Sequence, residues 1–148
     1  MKYNKNRKNR VKLAISQIQS AGMRLTPQRL ALAKRLFSGP DRHITAEELH
    51  SELKYADVRI SLATVYNTLN RFTNAGLLRE FFVDSNQSYF DTNTEPHHHF
   101  FYEELGKLVD VPINNLNIEF LPSPPKGTQV DSVEVFIKLS KVDSSNKK

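Results

Sequence analysis

The fold is decided by residues 61–83, which read SLATVYNTLNRFTNAGLLREFFV. Apolar side chains recur at helical spacing from Val65 onward, and Ser61 stands before them as a residue that can cap a helix. Gly76 marks the end of that helix, because glycine adopts the left-handed conformation found there without strain. An apolar, β-like run follows at once. These residues therefore predict a helix that leads directly into the first strand of a β-hairpin.

More helices are predicted upstream of this stretch, and a second strand downstream. Residues 11–21 carry one apolar face, Thr26-Pro27 is typical of a helix start, and residues 45–48 (TAEE) have the spacing of a capping box. The hairpin turns at 84–86 and returns over 88–91. Helices followed by a hairpin favour a winged helix, whose last helix reads the DNA major groove. An ordinary helical domain with polar faces is the alternative.

The charge of the chain is divided between its halves. Residues 1–79 carry fifteen Lys and Arg against five Asp and Glu, whereas residues 80–148 carry six against eleven. A basic half attracts the phosphate backbone of nucleic acid, and an acidic half with clustered histidines attracts cations. The pattern favours a nucleic-acid-binding half joined to a cation-binding half, and a lopsided solvated surface is the alternative.

Composition excludes several kinds of site. The 148 residues contain no cysteine, which excludes disulfides, thiolate zinc sites and thiol nucleophiles. No apolar run approaches the ~18 residues of a membrane span, and no signal-peptide core follows the basic start. We therefore expect a cytoplasmic protein that does not bind membranes.

The second half is predicted to be a small α/β unit. Residues 97–111 form a strand with a turn near Gly106, and residues 133–139 alternate as a half-buried strand does. Between them, Pro112 precedes a predicted short helix over 113–120 whose apolar residues share a face. The exposed edge of so small a sheet favours pairing with a second copy of the chain.

Three consecutive histidines, His97, His98 and His99, are the strongest metal signal in the chain. Alternate side chains of a strand share a face, so His97 and His99 are expected to point one way and His98 the other. With Asp91 upstream and Asp110 downstream, the set provides the donors of a divalent transition-metal site. The alternatives are an expression tag, against which the internal position argues, and a solvated surface cluster.

Four motifs together resemble the ferric uptake regulator (Fur) superfamily: RLTPQR at 24–29, HITAEEL at 43–49, SLATVY at 61–66, and the His-x-His strand. The resemblance spans roughly residues 12–139. It implies a homodimeric bacterial transcription factor that binds a double-stranded DNA operator and is not an enzyme. The expected fold class is α+β, with a winged-helix DNA-binding domain and basic extension over 1–92. A small α/β dimerisation and sensor domain would follow over 93–140, and a polar tail over 141–148.

The resemblance also implies a regulatory metal site that takes Fe(II) or Mn(II). Its ligands fall on His43, Asp91, His97, His99 and Asp110. Asp110, where iron-uptake members carry Glu, is similar to the peroxide-sensing (PerR) branch, which controls peroxide-stress and iron-homeostasis genes. The triple histidine in a chain without cysteine looks like the iron-response (Irr) branch. The alternative is therefore a haem-responsive regulator, which binds haem through His97, His98 and His99 and then releases DNA.

The expected DNA-contacting residues lie on the predicted reader helix, off its apolar face, and around the start of the second helix. They are Arg24, Gln28, Arg29, Ser61, Ala63, Thr64, Tyr66, Asn67 and Arg71. The arginines are expected to contact phosphate, and Tyr66 offers a flat surface to a thymine methyl. Asn67 departs from the arginine that many members carry after this tyrosine.

The chain lacks the family's structural zinc of two Cys-x-x-Cys pairs, because Tyr102 and Leu105 occupy the first pair's positions. The dimer is therefore expected to hold by apolar burial or by another metal arrangement. Two other classes remain open. A non-haem iron oxygenase also uses two histidines and a carboxylate, and a DNA-binding protein with a degenerate sensor half would need no metal.

Overall fold

The computed structural model describes residues 2–84 and 87–143, and the chain divides into two compact units, residues 1–94 and 95–148. The first unit contains α1 (Lys2–Ser20), α2 (Pro27–Phe37), β1 (His43–Ile44), α3 (Ala46–Tyr55), α4 (Leu62–Asn74), β2 (Arg79–Asp84) and β3 (Gln87–Asp91). The second contains β4 (His98–Tyr102), β5 (Lys107–Val111), a 3-10 turn (Ile113–Asn115) and β6 (Phe136–Leu139).

The helix starts of the first unit follow from its serine and threonine residues. The Thr26 hydroxyl accepts a hydrogen bond from the Arg29 N–H at 3.2 Å before α2. Thr45 and Glu48 form the expected capping box before α3, and Ser61 accepts from the Thr64 N–H at 3.1 Å before α4. Each hydroxyl satisfies a backbone N–H that the helix leaves unpaired, which explains why these helices begin where the sequence predicts.

The first unit is a winged helix built around one apolar core. The fully buried side chains come from helices and sheet alike, and include Ile18, Leu36, Leu53, Phe72 and Phe90. Its three-stranded sheet has the order β1-β3-β2, and both pairings are antiparallel. The short strand β1 thereby joins the hairpin to the entrance of α3. The predicted hairpin is confirmed in its strands, while residues 85 and 86 of its turn lie outside the described residues.

The second unit is a three-stranded sheet of order β5-β4-β6. β4 and β5 form an antiparallel hairpin closed by a turn at Gly106, which has a φ of +57°, so the predicted strand over 97–111 is two strands. β6 pairs with β4 in parallel. It begins at Phe136, later than predicted, and Val133 lies outside it.

The helix predicted over 113–120 is wrong. Only Ile113–Asn115 form a single 3-10 turn, Leu116 is already extended, and Phe120 is 88% exposed. Isoleucine, leucine and phenylalanine have helical spacing here, but three asparagines, which are weak helix formers, occupy the positions between them. Helical propensity is low, and a short helix depends on burying its apolar face. With that face exposed, spacing alone does not make a helix.

The α+β fold class is confirmed, with helices concentrated in the first unit and a small sheet in the second. None of the helices in the described part of the chain combines the length and the apolar composition that crossing a membrane requires. The last five residues of the predicted polar tail, 144–148, lie outside the described part of the chain.

Candidate metal centre and nucleic-acid interface

In the first unit, the β1–β3 pairing brings together one imidazole and one carboxylate. His43 and Asp91 are direct partners in the register, and His43 Nε2 lies 3.0 Å from Asp91 Oδ2. Asp91 is fully buried, and its other oxygen, Oδ1, accepts a hydrogen bond from the Asn93 N–H at 2.8 Å. That bond fixes the carboxylate, so Oδ2 is held toward His43. Both predicted site residues of this unit are therefore adjacent.

In the second unit, two imidazoles converge on one carboxylate. His97 Nε2 lies 3.1 Å from Asp110 Oδ1, and His99 Nε2 lies 3.7 Å from the same oxygen. The two rings are 4.5 Å apart between centroids, and Phe136 stacks on His99 at 5.0 Å. His99 and Asp110 are direct partners across β4 and β5. The hairpin register places these donors on one face, as alternation along a strand predicts.

The hydrogen bond at Nδ1 determines the tautomer of His97. Its Nδ1 lies 2.5 Å from the Glu95 carbonyl oxygen, which can only accept, so Nδ1 carries the proton. In the neutral ring, Nε2 then presents a lone pair to the Asp110 oxygen. Two facing acceptors are unfavourable unless a positive charge lies between them. A proton or a metal ion supplies that charge, and a hydrogen bond at Nδ1 is how metal-binding histidines are commonly oriented.

The distances also fit ligands that share an ion. Two ligands that each bind a metal at about 2.1 Å stand about 3 Å apart when their bonds are near a right angle. The His43–Asp91 and His97–Asp110 separations of 3.0 and 3.1 Å have that size. Each of the five residues has a side chain that can hold a metal ion. Imidazole and carboxylate donors without sulfur suit Fe(II), Mn(II) and Zn(II).

His98 has a different environment from its neighbours. It is buried, and its Nδ1 accepts a hydrogen bond from the Val135 N–H at 3.1 Å. Since that N–H can only donate, His98 Nδ1 is unprotonated, and the ring anchors the chain segment that enters β6. The prediction that His98 faces away from its neighbours' carboxylate is consistent with this bond. Its predicted part in haem binding stays a prediction.

The nine predicted DNA-contacting residues all lie in the first unit, and each is exposed or half-buried. Some of them contact one another or the adjoining loops. Ser61 caps α4 and its hydroxyl lies 2.8 Å from that of Thr64, while Arg29 donates to the Arg24 carbonyl at 2.6 Å. Gln28 donates to the carbonyl of Arg59 at 3.3 Å, in the segment before α4. The polar start of α4 and the start of α2 thus remain accessible to solvent.

Sequence reasoning missed one contact on this surface. The Tyr66 hydroxyl donates a hydrogen bond to Glu47 Oε1 at 2.6 Å. This bond, with burial and the charge of Glu47 acting in the same direction, raises the pKa of the Tyr66 phenol. Glu47 lies in the first turn of α3, within the 43–49 motif, where its spacing gave no sign of a contact with α4. Only the packing of α3 against α4 brings the two side chains together.

A second missed group joins α2, α3 and the segment before β1. Glu52 accepts two hydrogen bonds from Arg42, at 2.6 and 3.0 Å, and one from Arg35 at 2.8 Å. Arg42 also bonds to Thr92, which directly follows Asp91. The Arg42 N–H donates to the Thr92 hydroxyl, and the Thr92 N–H donates to the Arg42 carbonyl. This group therefore supports the backbone on which His43 and Asp91 are placed.

The comparisons with known proteins agree with these observations. The model of the ferric uptake regulator family matches residues 20–134. The peroxide-responsive repressor PerR of Staphylococcus aureus (strain USA300) is 38% identical over 104 residues, which cover 70% of this chain and 70% of that protein.

Two solved structures have the same fold. The ferric uptake regulator of Vibrio cholerae has a TM-score of 0.66 and 23% identity, over 84% of this chain and 96% of that one. The ferric uptake regulator of Pseudomonas aeruginosa with manganese has a TM-score of 0.63 and 22% identity, over 85% and 96%. The likeness confirms the predicted architecture of a winged helix followed by an α/β domain. With the family model covering most of its length and a relative this similar, the chain belongs to the ferric uptake regulator family.

Proposed function

We propose that this chain is a metal-dependent, DNA-binding transcriptional regulator of the peroxide-responsive type, and not an enzyme. One observation carries the proposal: each unit holds an incomplete donor set for a metal ion. The first offers His43 and Asp91, and the second offers His97, His99 and Asp110. Together the two sets supply three nitrogens and two oxygens, which can hold a divalent ion in octahedral geometry and leave one of its six positions open.

In this proposal one ion takes ligands from both sets, and Fe(II) or Mn(II) is the ion that we propose for the regulatory site, since imidazole and carboxylate donors suit both. A structural zinc of the cysteine type is excluded, because the chain has no cysteine. With Fe(II) bound, the site would gain redox reactivity toward hydrogen peroxide. Oxidation of a ligand histidine would remove one nitrogen donor and weaken the site. The similarity to a peroxide-responsive repressor supports this signal.

DNA binding is assigned to residues 1–92, and dimerisation and sensing to residues 93–140, followed by a polar tail. The basic charge of the first half, the capped and exposed start of α4, and the family support the first assignment. A homodimer would present two copies of α4 to a palindromic operator, so their spacing would decide affinity. In this scheme a shared ion fixes the angle between the two domains, and it strengthens DNA binding only as far as it prefers that arrangement.

The haem-responsive alternative and the enzyme alternative are weaker. Ligation of haem through Nε2 of His98 would require the proton on Nδ1, and the hydrogen bond that Nδ1 accepts from the Val135 N–H disfavours that tautomer. The oxygenase hypothesis leaves the basic winged helix without a role, and the relatives described above are transcription regulators.

Operator binding tests the proposal. A duplex selected from a random library with the Mn(II)-loaded protein should bind at least tenfold more weakly without Mn(II). The double variant His97→Ala/His99→Ala should lose this response, whereas His98→Asn, which keeps an acceptor for Val135, should retain it. Peroxide should abolish binding of the Fe(II) form and spare the Mn(II) form. If DNA affinity is the same with Mn(II), with haem and in the double variant, the chain is not a metal-dependent regulator.

A further inference from the structure

The contact between Tyr66 and Glu47 fixes a side chain of α4, the predicted reader helix. Tyr66 lies on α4, and its ring packs partly buried against the apolar core of the first unit. Its hydroxyl donates to Glu47 Oε1 at 2.6 Å. The ring is therefore held at both ends, by packing at one and by a charge-assisted hydrogen bond at the other. A side chain fixed in this way has one orientation to offer, rather than several.

The bond also removes one of the two hydrogen-bonding roles of a phenol. A tyrosine hydroxyl has one proton to donate and lone pairs with which to accept. The Tyr66 hydroxyl uses its proton in the hydrogen bond to the Glu47 carboxylate, and this bond raises the pKa of the phenol, so the proton stays on Tyr66. Toward any third group, the phenol oxygen can then only accept. The carboxylate of Glu47 can only accept as well, so the pair presents acceptors alone.

An acidic side chain on a DNA-binding surface lowers the affinity for DNA. A gain in sequence specificity explains why such a residue is present. Glu47 is exposed in the first turn of α3, where the helix N-terminus stabilises its negative charge. Near DNA, the same charge is repelled by phosphate and lowers the affinity for every sequence alike. It also repels acceptors on base edges and attracts donors. In the major groove, the donors are the exocyclic amino groups of adenine and cytosine, whereas guanine and thymine present acceptors.

We propose that Glu47 is a specificity-determining residue. By accepting the hydrogen bond of the Tyr66 hydroxyl, it leaves the phenol oxygen as an acceptor that selects an adenine or cytosine amino group at one base pair of each half-site. The inference rests on the proposed DNA-binding function and extends it to a residue outside the nine predicted DNA-contacting residues. Contact of the Tyr66 ring with a thymine methyl is compatible with this role, because the ring face and the phenol oxygen are different parts of the side chain.

Selection from a randomised duplex library tests the proposal, with the full-length protein in its Mn(II) form. The wild type should restrict one position per half-site to adenine or cytosine, by about tenfold over guanine or thymine. In Glu47→Gln, the amide can donate to the phenol oxygen, which frees the Tyr66 proton. Guanine and thymine should then be accepted at that position and at no other. Tyr66→Phe keeps the ring and should lose the preference at the same position.

The control is Glu104→Gln, which makes the same change in net charge at an exposed residue of the second unit. Any gain in affinity that it gives for all sequences should be no larger than the gain in Glu47→Gln. The selected sequence should stay unchanged. Thermal unfolding should show that all variants remain folded. Replacing adenine or cytosine by an analogue without the exocyclic amino group shows which of the two bases is selected. Purine in place of adenine, or 2-pyrimidinone in place of cytosine, should weaken wild-type binding about tenfold and Glu47→Gln binding much less.

Two results would overturn the inference in different ways. If Glu47→Gln and Tyr66→Phe select the same sequence as the wild type, Glu47 does not determine specificity, while the DNA-binding function stands. If the wild type selects no sequence at all, the proposed function fails together with this inference.

Discussion

His98 and its two neighbours differ in what their ring nitrogens contact. His97 and His99 share a carboxylate partner, Asp110, while the Nδ1 of His98 accepts from the Val135 N–H on the approach to β6. Consecutive residues of a strand alternate between its faces, so one run of three identical residues serves two purposes. The sequence pattern predicts the alternation, but the partner of His98 lies 37 residues away and depends on the parallel pairing of β6 with β4.

Replacing His98 should therefore change stability rather than metal binding. His98→Leu leaves the Val135 N–H without its acceptor, and we expect a loss of about 1–3 kcal/mol in the free energy of unfolding. His98→Asn places an amide oxygen where Nδ1 was, so most of the stability should return. Urea unfolding of the protein in EDTA measures both variants. The Mn(II) affinity of each should match the wild type, and equal stability of the two variants would refute the structural role.

At the scale of elements, Glu52 shows how α2 and α3 are held beside β1. Its carboxylate receives Arg42 and Arg35, and it is 28% exposed. The hydrogen bond from Arg42, supported by Arg35, lowers the pKa of Glu52, whereas burial acts in the opposite direction. A lowered pKa means that the folded protein favours the charged carboxylate more than the unfolded chain does.

This difference predicts how stability depends on pH. The contribution of Glu52 is complete above the pKa of the unfolded chain, about 4.5, and is lost as the pH falls through the lower pKa of the folded state. Glu52→Gln should reduce the free energy of unfolding by about 1 kcal/mol at pH 7, and the difference from wild type should shrink below about pH 4.5. Urea unfolding from pH 3 to 7 measures it. A difference that stays constant with pH would mean that the variant loses packing, not charge.

A matched control is available in the second unit. Glu103 forms a 3.0 Å ion pair with Lys138, and both side chains are more than half exposed. Water screens such a pair, so Glu103→Gln should change the free energy of unfolding by a few tenths of a kcal/mol at most.

Three of the helices that the sequence predicts correctly have a local chemical signal at their start. Thr26, Thr45 and Ser61 mark three helix starts, because each hydroxyl satisfies an N–H within three residues of itself. The failed helix at 113–120 had apolar spacing but no cap: Pro112 precedes it without a side-chain hydrogen bond. Spacing describes a face that needs burial, and burial depends on residues far away in the chain.

The same distinction between local signals and long-range contacts applies to the candidate site. Sequence identifies the histidines and carboxylates as donors, but their distances come from strand register. His43 meets Asp91 across 48 residues only because β1 pairs with β3. Glu47 carries no local signal for a contact with Tyr66, because that contact depends on how α3 packs against α4. Long-range pairing is the step that residue patterns in a single sequence do not encode.

At the scale of the whole molecule, the proposed homodimer would have to form without a cysteine-bound zinc, because the chain has no cysteine. Several large apolar side chains of the second unit are exposed in the single chain, among them Ile113, Phe120, Leu121 and Val130. Exposed apolar surface of this kind favours association with a matching surface. This observation supports the proposed homodimer, held by apolar burial.

The metal and the operator should affect each other equally if the proposed function is correct. Linkage requires that the factor by which Mn(II) raises operator affinity equals the factor by which operator raises Mn(II) affinity, and typical couplings are roughly 5- to 150-fold. Asp91→Asn tests this at one buried residue. The amide oxygen still accepts from the Asn93 N–H, while the charge beside His43 is removed. Both factors should therefore fall together toward one.

Two titrations measure the coupling: operator binding with and without Mn(II), and Mn(II) binding with and without the selected duplex. Asp131→Asn is the control, because it removes the same charge from an exposed residue that contacts only Gln129 among the described hydrogen bonds. It should preserve both factors. Of the two variants, only Asp91→Asn removes a buried carboxylate that is a proposed ligand. Wild-type Mn(II) affinity in that variant would therefore exclude Asp91 as a ligand. Unequal factors in the wild type would instead show that one of the two titrations did not reach equilibrium.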